Sequence, residues 1–514
     1  GGRSFGAGVS FASLVAVLAM AGRYDWAVGG YQFVAWGPRL SGLGAQFAVG
    51  VDQLSLTLVV LTAALHALAV AGSLWSVRVR TREYYAWMSF LLVTMLGVFM
   101  ATDLLLFYTF FEVSLVPLFF LVGIWGGPDR RRAANTLFLY TFAASIFALA
   151  GIIYLGVKAG SFDITQVIRF AQDPAKLGPD AKFWILMSLL AAFVVKTPLF
   201  PLHTWLPLAH TEAPSGGAAD LAGLVLKLGA YGLLRIALPI GLVGADGQVL
   251  FPRVLTVLAV MCLAGIVYAA LVAWVQHDAK RLVAYSSVSH MGFCILGMLA
   301  LNPVGMGGSV LYMVNHGIVS GALFLVIGMV YARYGTRDLR DLGGLARAMP
   351  KMAFFLFLFT FAAVGLPLTN GFVSEFLTIQ GAFTSKHLGP AFAAVAATGV
   401  VLGAVYMLHM AGSLLYGPLK VPAAGAEVGG DDSSASPAIE DVTAPTARGD
   451  LTRREVFVLT PLAVAVIVLG VYPTPLLRAL ERPLAQIRNP NAAAAMAATP
   501  APPPAAGQPV VAAR

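Results

Sequence analysis

Charged side chains are scarce in this chain. Asp, Glu, Lys and Arg make up 11% of its 514 residues, against about 25% in a soluble globular chain. Apolar residues make up 59% and the mean hydropathy is +0.81, so too few polar side chains remain to cover a water-facing surface. That excludes a soluble enzyme, a nucleic-acid binder and a disordered scaffold. The net charge of +9 does not point to nucleic acid either, because most basic residues sit in short clusters between apolar runs. Cysteine is nearly absent. Cys262 and Cys294 both lie within apolar runs, and there is no CxxC, no haem-attachment motif and no disulfide framework. Thiolate-bound iron–sulfur clusters are therefore not expected here. No Walker loop follows a strand and no GxGxxG opens a βαβ unit, so nucleotide bound to this chain does not drive its work.

Long apolar runs are present in their place. A helix needs about 20 apolar residues to cross a bilayer, and thirteen stretches are predicted to do so: 5–22, 52–76, 84–102, 104–125, 133–157, 183–200, 217–240, 253–276, 282–301, 307–332, 352–385, 390–416 and 455–473. The fold class is thus an all-α polytopic membrane protein. Two of the stretches are interrupted. Gly365-Leu366-Pro367 cuts 352–385, and prolines 198, 201 and 207 follow 183–200. Proline inside a helix removes a backbone bond and clashes with the preceding turn. Broken helices survive in a bilayer where they are buried in protein or line a wet cavity. Two broken spans five spans apart predict an internal repeat with the transport path at the breaks.

Basic residues in the loops set the orientation. Eighteen Lys and Arg, among them Arg3, Arg78, Arg80, Arg130, Lys280, Arg337, Arg453 and Arg454, fall on one side; twelve fall on the other. The first side is predicted to be cytoplasmic, with residue 1 inside and residue 514 outside. Residues 421–450 read as a solvated loop, and residues 490–514 as an Ala/Pro-rich disordered tail.

An ionisable side chain at the bilayer centre costs at least about 2.5–3.5 kcal/mol, so such residues carry the functional signal. Glu112 lies in YTFFEVSLVP, Lys196 in AAFVVKTPLFP just before a break, Lys227 in GLVLKLGAYG, and Glu375 after the second break in GLPLTNGFVSEF. Two carboxylates and two ammonium groups on four spans can balance only across helices. A static packing pair of Glu112 and Lys196 is the bland reading, and a proton path is the functional one. His290 and His316 lie on adjacent spans with Ser286, Ser287, Ser289 and Asn315 nearby. Each reads as a satisfied core histidine or as half of a relay, since neutral imidazole both accepts and donates a proton. His409 lies nearer a span end and reads as structural. His203, His210 and Glu212 share a Pro- and Gly-rich segment whose spacing matches no standard zinc pattern, so no metal site is predicted. Asp278-Ala279-Lys280-Arg281 reads as an interfacial helix start.

The segments FYTFFEVSLVPLFFLVGIWG, VVKTPLFPLHTWLPLAHTEAPSGG, AGLVLKLGAYGLLRIALP, DAKRLVAYSSVSHMGF and GFVSEF follow one another in this order. Over about residues 50–475 the chain resembles the antiporter-like membrane subunits of respiratory complex I, the proton-pumping NADH:quinone oxidoreductase. Three paralogous subunits share that fold, and glutamate at the second broken helix, here Glu375, resembles the subunit M branch. The resemblance implies fourteen spans in two inverted five-helix repeats, each with a broken helix; the count of thirteen fits if the family's first span is absent from this chain. It implies the organisation 1–83 (N-terminal helices and extracytoplasmic loop), 84–240 and 241–417 (the two repeats), 418–454 (polar cytoplasmic loop), 455–475 (last span) and 476–514 (extracytoplasmic tail, disordered). By matching motifs, Glu112 and Lys196 resemble the family's ion pair, Lys227 its central lysine, His290 and His316 its connecting histidines and Glu375 its terminal carboxylate, all in proton transfer. Leu208 in WLPLAH departs from the family, which commonly has aspartate there. The resemblance implies no cofactor in this chain, with FMN, iron–sulfur clusters and quinone on other subunits. It implies as partners the other membrane subunits of the complex, including the two paralogues, and a bacterial inner membrane as the location. A subunit of a multisubunit cation/proton antiporter or of a membrane-bound hydrogenase is the alternative with the same charged axis.

Overall fold

The computed structural model describes residues 1–39, 44–74, 76–422 and 449–490. In chain order come α1 (Gly2–Arg23), a hairpin of β1 (Gln32–Arg39) and β2 (Gln46–Val51), α2 (Gln53–Ser73), α3 (Thr81–Met100), α4 (Leu104–Val113), α5 (Leu115–Trp125), α6 (Arg130–Ala159), α7 (Ile164–Gln172), α8 (Pro179–Lys196) and α9 (Trp205–Glu212). Then come α10 (Ser215–Asp220), a π-helical turn (Leu221–Val225), α11 (Leu226–Gly232) and a second π-helical stretch (Leu233–Leu242), which together form one continuous rod. The second half holds α12 (Pro252–Trp274), α13 (Ala279–Leu299), α14 (Pro303–Tyr334), α15 (Leu345–Ala348), α16 (Pro350–Val364), α17 (Asn370–Phe383), α18 (Pro390–Leu415), α19 (Arg453–Val471) and α20 (Thr474–Arg488).

Among the described residues, eleven helices are long and apolar enough to cross a membrane. The two interrupted stretches are each a pair of shorter helices, α8 with α9 and α16 with α17. Their breaks have the expected cause. Gly365 closes α16 in the left-handed region at φ +78°, and Pro367 follows before Thr369 opens α17. Such a residue is glycine because a Cβ would clash with the backbone there. The burial pattern matches a bilayer protein. Ser215–Leu242 and Pro303–Tyr334 are buried throughout their apolar windows, whereas α1 presents Phe5, Phe11, Val15 and Leu18 outward.

The repeat and its inversion are visible in backbone bonds. At the start of α4, Leu104 N–H donates to Phe162 O at 2.7 Å and Ile164 N–H to Thr102 O at 2.9 Å. At the start of α13, Ala279 N–H donates to Arg337 O at 3.0 Å and Leu339 N–H to His277 O at 2.8 Å. All four counterparts are separated by the same length of chain. Asp103 and Asp278 cap the two helices in the same way, accepting from first-turn N–H groups. The first set lies at the face carrying the hairpin, where Thr102 N–H donates to Ala48 O at 3.0 Å. The second lies at the opposite face, where Arg337 reaches Asp278 and Glu212. That face also gathers Arg3 on the Val77 carbonyl, Lys280 on the Ala213 carbonyl and Arg333 on Glu455. The basic residues assigned to one side thus come together at one end of the bundle.

Three elements depart from the sequence expectation. The loop expected within 1–83 contains the β-hairpin, whose ladder runs from Gln32 opposite Val51 to Arg39 opposite Gln46. The tail expected to be disordered from 476 opens with α20, because Leu480, Leu484 and Ile487 repeat at helical spacing and bury that face. The connection after α6 forms the short amphipathic α7 with Ile164, Val167 and Ala171 buried. The solvated loop predicted over 421–450 and the tail predicted over 490–514 lie almost wholly outside the described residues.

Candidate functional site

Lys196 ends α8 at the first break and is 1% exposed. Its ammonium does not reach a carboxylate. It donates to the Phe111 carbonyl at 2.6 Å and to Ser114 Oγ at 3.0 Å, and it stands 3.8 Å from the centre of the Phe111 ring. This cradle exists because the stretch read as one span over 104–125 is itself interrupted at Ser114, between α4 and α5. Ser114 Oγ itself donates to the Phe111 carbonyl at 2.7 Å, so the interruption offers the lysine a carbonyl and a hydroxyl side by side. Glu112 sits beside this turn with both carboxylate oxygens buried. The Ser145 hydroxyl on α6 is its neighbouring hydrogen-bonding side chain, and the Lys196 charge acts on it without contact. The expected contact pair of Glu112 and Lys196 is therefore corrected: the two are neighbours without a salt bridge, because the lysine's donors are taken by the Ser114 turn.

Lys227 lies at the middle of the Ser215–Leu242 rod and is fully buried. Its ammonium donates to the Ala222 carbonyl at 2.7 Å and meets His316 Nδ1 at 2.8 Å. In a π turn the N–H to O=C bond spans five residues, and the lysine side chain serves the carbonyl five residues before it. His316 on α14 also meets Ser320 Oγ through Nε2 at 3.0 Å. The His316 and His290 rings are 5.7 Å apart between centres. His290 Nδ1 meets the Tyr312 hydroxyl at 2.6 Å, and that hydroxyl donates to Glu375 Oε1 at 3.0 Å. His290 Nδ1 and Glu375 Oε1 are themselves 3.6 Å apart. Tyr406 approaches His290 Nε2 at 3.4 Å. The Glu375 carboxylate lies against Gly365, where any Cβ would stand 2.3 Å from it, so the break and the acid occupy one place. A cavity lined by His290, His316, Asn315, Ser286 and Glu375 holds ≈ 20 Å³ of space for water centres, room for about one water.

The Lys227–His316 contact depends on how closely two backbones approach. A Cβ on Gly317 would stand 2.8 Å from the Gly223 carbonyl, so no other residue lets α14 lie so near the π turn. Gly317→Leu is expected to lower the stability of the purified protein by about 1–3 kcal/mol and to part Lys227 from His316. A thermal melt together with a proton-flux assay checks this, and an unchanged flux would show that the contact is dispensable.

The six predicted residues thus fall into two groups: Glu112 and Lys196 at the first break, and Lys227–His316 facing His290–Tyr312–Glu375, two hydrogen-bonded runs whose histidine rings are 5.7 Å apart. Tyr312, which links His290 to Glu375, is not singled out by a search for charged residues; phenols are ordinary core residues, and only position reveals this one. Two buried ion pairs are also unforeseen. His66 on α2 meets Asp220 on α10 at 2.7 Å with both side chains fully buried. Arg235 pairs with Asp52 and approaches Tyr231 and Tyr31. A census of every ionisable residue inside the thirteen stretches would find His66, Asp220 and Arg235. His203, His210 and Glu212 diverge: His203 stacks near Phe200 and Tyr268, His210 near Phe324, and Glu212 turns to Arg337 and the Asp129 N–H. Leu208 packs in part against the apolar core, and His409 is exposed on the outer face of α18.

Residues 101–413 match the family described as NADH:quinone oxidoreductase/Mrp antiporter, transmembrane. The chain is 39% identical over 470 residues to NADH-quinone oxidoreductase subunit M of Rhodobacter capsulatus, covering 90% of this chain and 85% of that one. It is 39% identical over 389 residues to subunit M of Rickettsia prowazekii, covering 76% and 77%. Its fold superposes on a chain of respiratory complex I from Thermus thermophilus with a TM-score of 0.80 at 30% identity, covering 95% of each chain. A chain of the Mrp complex from Dietzia gives 0.78 at 24% identity, a likeness of fold alone.

Proposed function

This chain belongs to the subunit M family of NADH-quinone oxidoreductase, and from that membership we propose that it carries protons across the bacterial inner membrane along a buried axis of its own residues. It is a polytopic membrane subunit of the complex I type. The axis runs from Glu112 and Lys196 at the first break, through Lys227, His316 and His290, to Glu375 at the second. The observation that carries this reading is the pair of runs Lys227–His316 and His290–Tyr312–Glu375, which meet inside the bundle with gaps of 2.6–3.0 Å within each half. Each member can hold or release a proton in place, and the two halves meet at a cavity with room for a water.

The chain's own work is then to hold and pass protons, not to oxidise or reduce. FMN, the iron–sulfur clusters and the quinone are assigned to other subunits of the complex. Its neighbours would be the other membrane subunits, with the two paralogous antiporter-like subunits among them. The basic face of the bundle would be cytoplasmic.

The complex purified with this subunit and reconstituted into vesicles tests the reading. NADH oxidation should acidify or alkalinise the lumen according to orientation, and Lys227 variants should lose that response. An assembly that carries no flavin and moves protons only against a cation gradient would overturn it in favour of a cation/proton antiporter.

Glu375→Lys tests the end of the axis. The carboxylate accepts from Tyr312 and lies over Gly365, whereas an ammonium there can only donate. The variant is expected to assemble with impaired NADH-coupled proton flux. Normal coupled flux would remove the exit role from this carboxylate.

A further inference from the structure

We infer that His66 and Asp220 form a proton-loading relay that feeds Lys227 from the basic face of the membrane. The inference rests on the proposed function and names residues it does not use. The two side chains meet through Nδ1 and Oδ2 at 2.7 Å and are fully buried, each on a different helix. The remaining polar atoms, His66 Nε2 and Asp220 Oδ1, have no hydrogen-bond partner among the described residues. A buried unpaired polar atom costs about 1–3 kcal/mol. A clamp between helices needs one contact and gains nothing from an open atom at each end; a relay needs a receiving atom and a delivering atom.

Position supplies the direction. A cavity of ≈ 410 Å³ opens at the basic face, rimmed by Ser76, Ser215, Gly328, Arg453 and Glu455. The same two helices that carry the pair lead away from it. Gly72 near the end of α2 lines the cavity, and His66 is six residues deeper, about 9 Å at 1.5 Å per residue. Ser215 opens α10 at the cavity, and Asp220 is five residues deeper, about 7.5 Å. Two residues past Asp220 stands the Ala222 carbonyl that holds the Lys227 ammonium. From cavity to pair to lysine, the polar groups descend along one seam between α2 and the Ser215–Leu242 rod, and Lys227 then meets His316.

The proton balance closes without any other reactant. Lys227 first gives a proton to His316 Nδ1 and is left as a neutral amine. A proton that enters from the cavity and travels down the seam is taken by His66 at Nε2, and the Nδ1 proton passes to Asp220 Oδ2. The carboxylic acid so formed rotates to bring its proton to the open Oδ1 side, from which it is passed along the Ala222 turn toward the amine of Lys227. Asp220 is again a carboxylate, Lys227 again an ammonium, and a turn of the imidazole that brings its N–H back to Asp220 resets His66. One proton has entered from the basic face and one has moved on to His316.

The test uses the whole complex in vesicles, with protons moved per NADH oxidised as the readout. His66→Gln is the deciding variant, because the glutamine amide still donates to the Asp220 carboxylate and preserves the helix contact but cannot pass a proton. Asp220→Asn and Lys227→Ala are measured beside it. The expected result is an assembled His66→Gln complex whose proton-to-NADH ratio falls to that of Lys227→Ala, with Asp220→Asn matching it. A wild-type ratio in His66→Gln beside a deficient Lys227→Ala overturns the relay and leaves the proposed function standing. A wild-type ratio in Lys227→Ala overturns both. Failure of both His66→Gln and Asp220→Asn to assemble would make the pair a structural clamp and also overturn the relay.

Discussion

Lys227→Ala is expected to cut NADH-driven proton translocation by about a hundredfold, within the range that a positioned proton-transfer group supplies, while the complex still assembles. Among the described residues, the ammonium is the group that connects the Ala222 carbonyl of the π turn with His316 Nδ1, at 2.7 and 2.8 Å. Alanine removes the carrier and leaves a gap that no described neighbour spans. Loss of both contacts also costs stability, about 1–3 kcal/mol for each polar group left unpaired, so flux must be compared at matched amounts of assembled complex. Lys227→Arg separates charge from proton transfer. The guanidinium keeps the positive charge and does not deprotonate in proteins, so it is expected to support assembly and to pump as poorly as alanine. Vesicle acidification against NADH oxidation checks both variants, and wild-type coupling in either removes Lys227 from the path.

The second large effect is expected at Glu112. In this structure the carboxylate and Lys196 do not touch: the lysine is held by the Phe111 carbonyl, Ser114 Oγ and the Phe111 ring, and Glu112 lies buried beside the Ser145 hydroxyl. A buried acid without a salt bridge beside a cradled buried base can be drawn into contact. Two unit charges about 4 Å apart interact by about 4 kcal/mol at an effective dielectric of 20, enough to change which of them holds a proton. Glu112→Gln keeps the shape, removes the charge and is expected to lower proton flux about tenfold or more, some 1.4 kcal/mol in barrier height. Glu112→Asp keeps the charge with a shorter reach and should retain part of the flux. Equal flux in the two variants, at matched expression, would show that charge at position 112 does not govern Lys196.

Several features were legible in the sequence because they depend on local chemistry. The lack of charge and the long apolar runs determined a membrane-spanning helical protein, since a bilayer tolerates little else. Proline and glycine determined where the two helices break. The cost of burying charge made Glu112, Lys196, Lys227 and Glu375 stand out without any neighbour being known, and the motifs around them carried the family. Only the tertiary structure decided which of these groups meet. Hydrogen bonds depend on helix rotation, depth and separation, which apolar sequence leaves free because many faces of such a helix are equally greasy. So Lys196 turned to the interrupted Ser114 turn in place of Glu112, Lys227 reached His316 because Gly223 and Gly317 let two backbones nearly touch, and Tyr312 entered the path although its type carries no signal. His66 and Asp220 each sit in an unremarkable apolar run 154 residues apart; their pairing exists only because α2 and α10 bury the same face, a fact that no single stretch of chain contains.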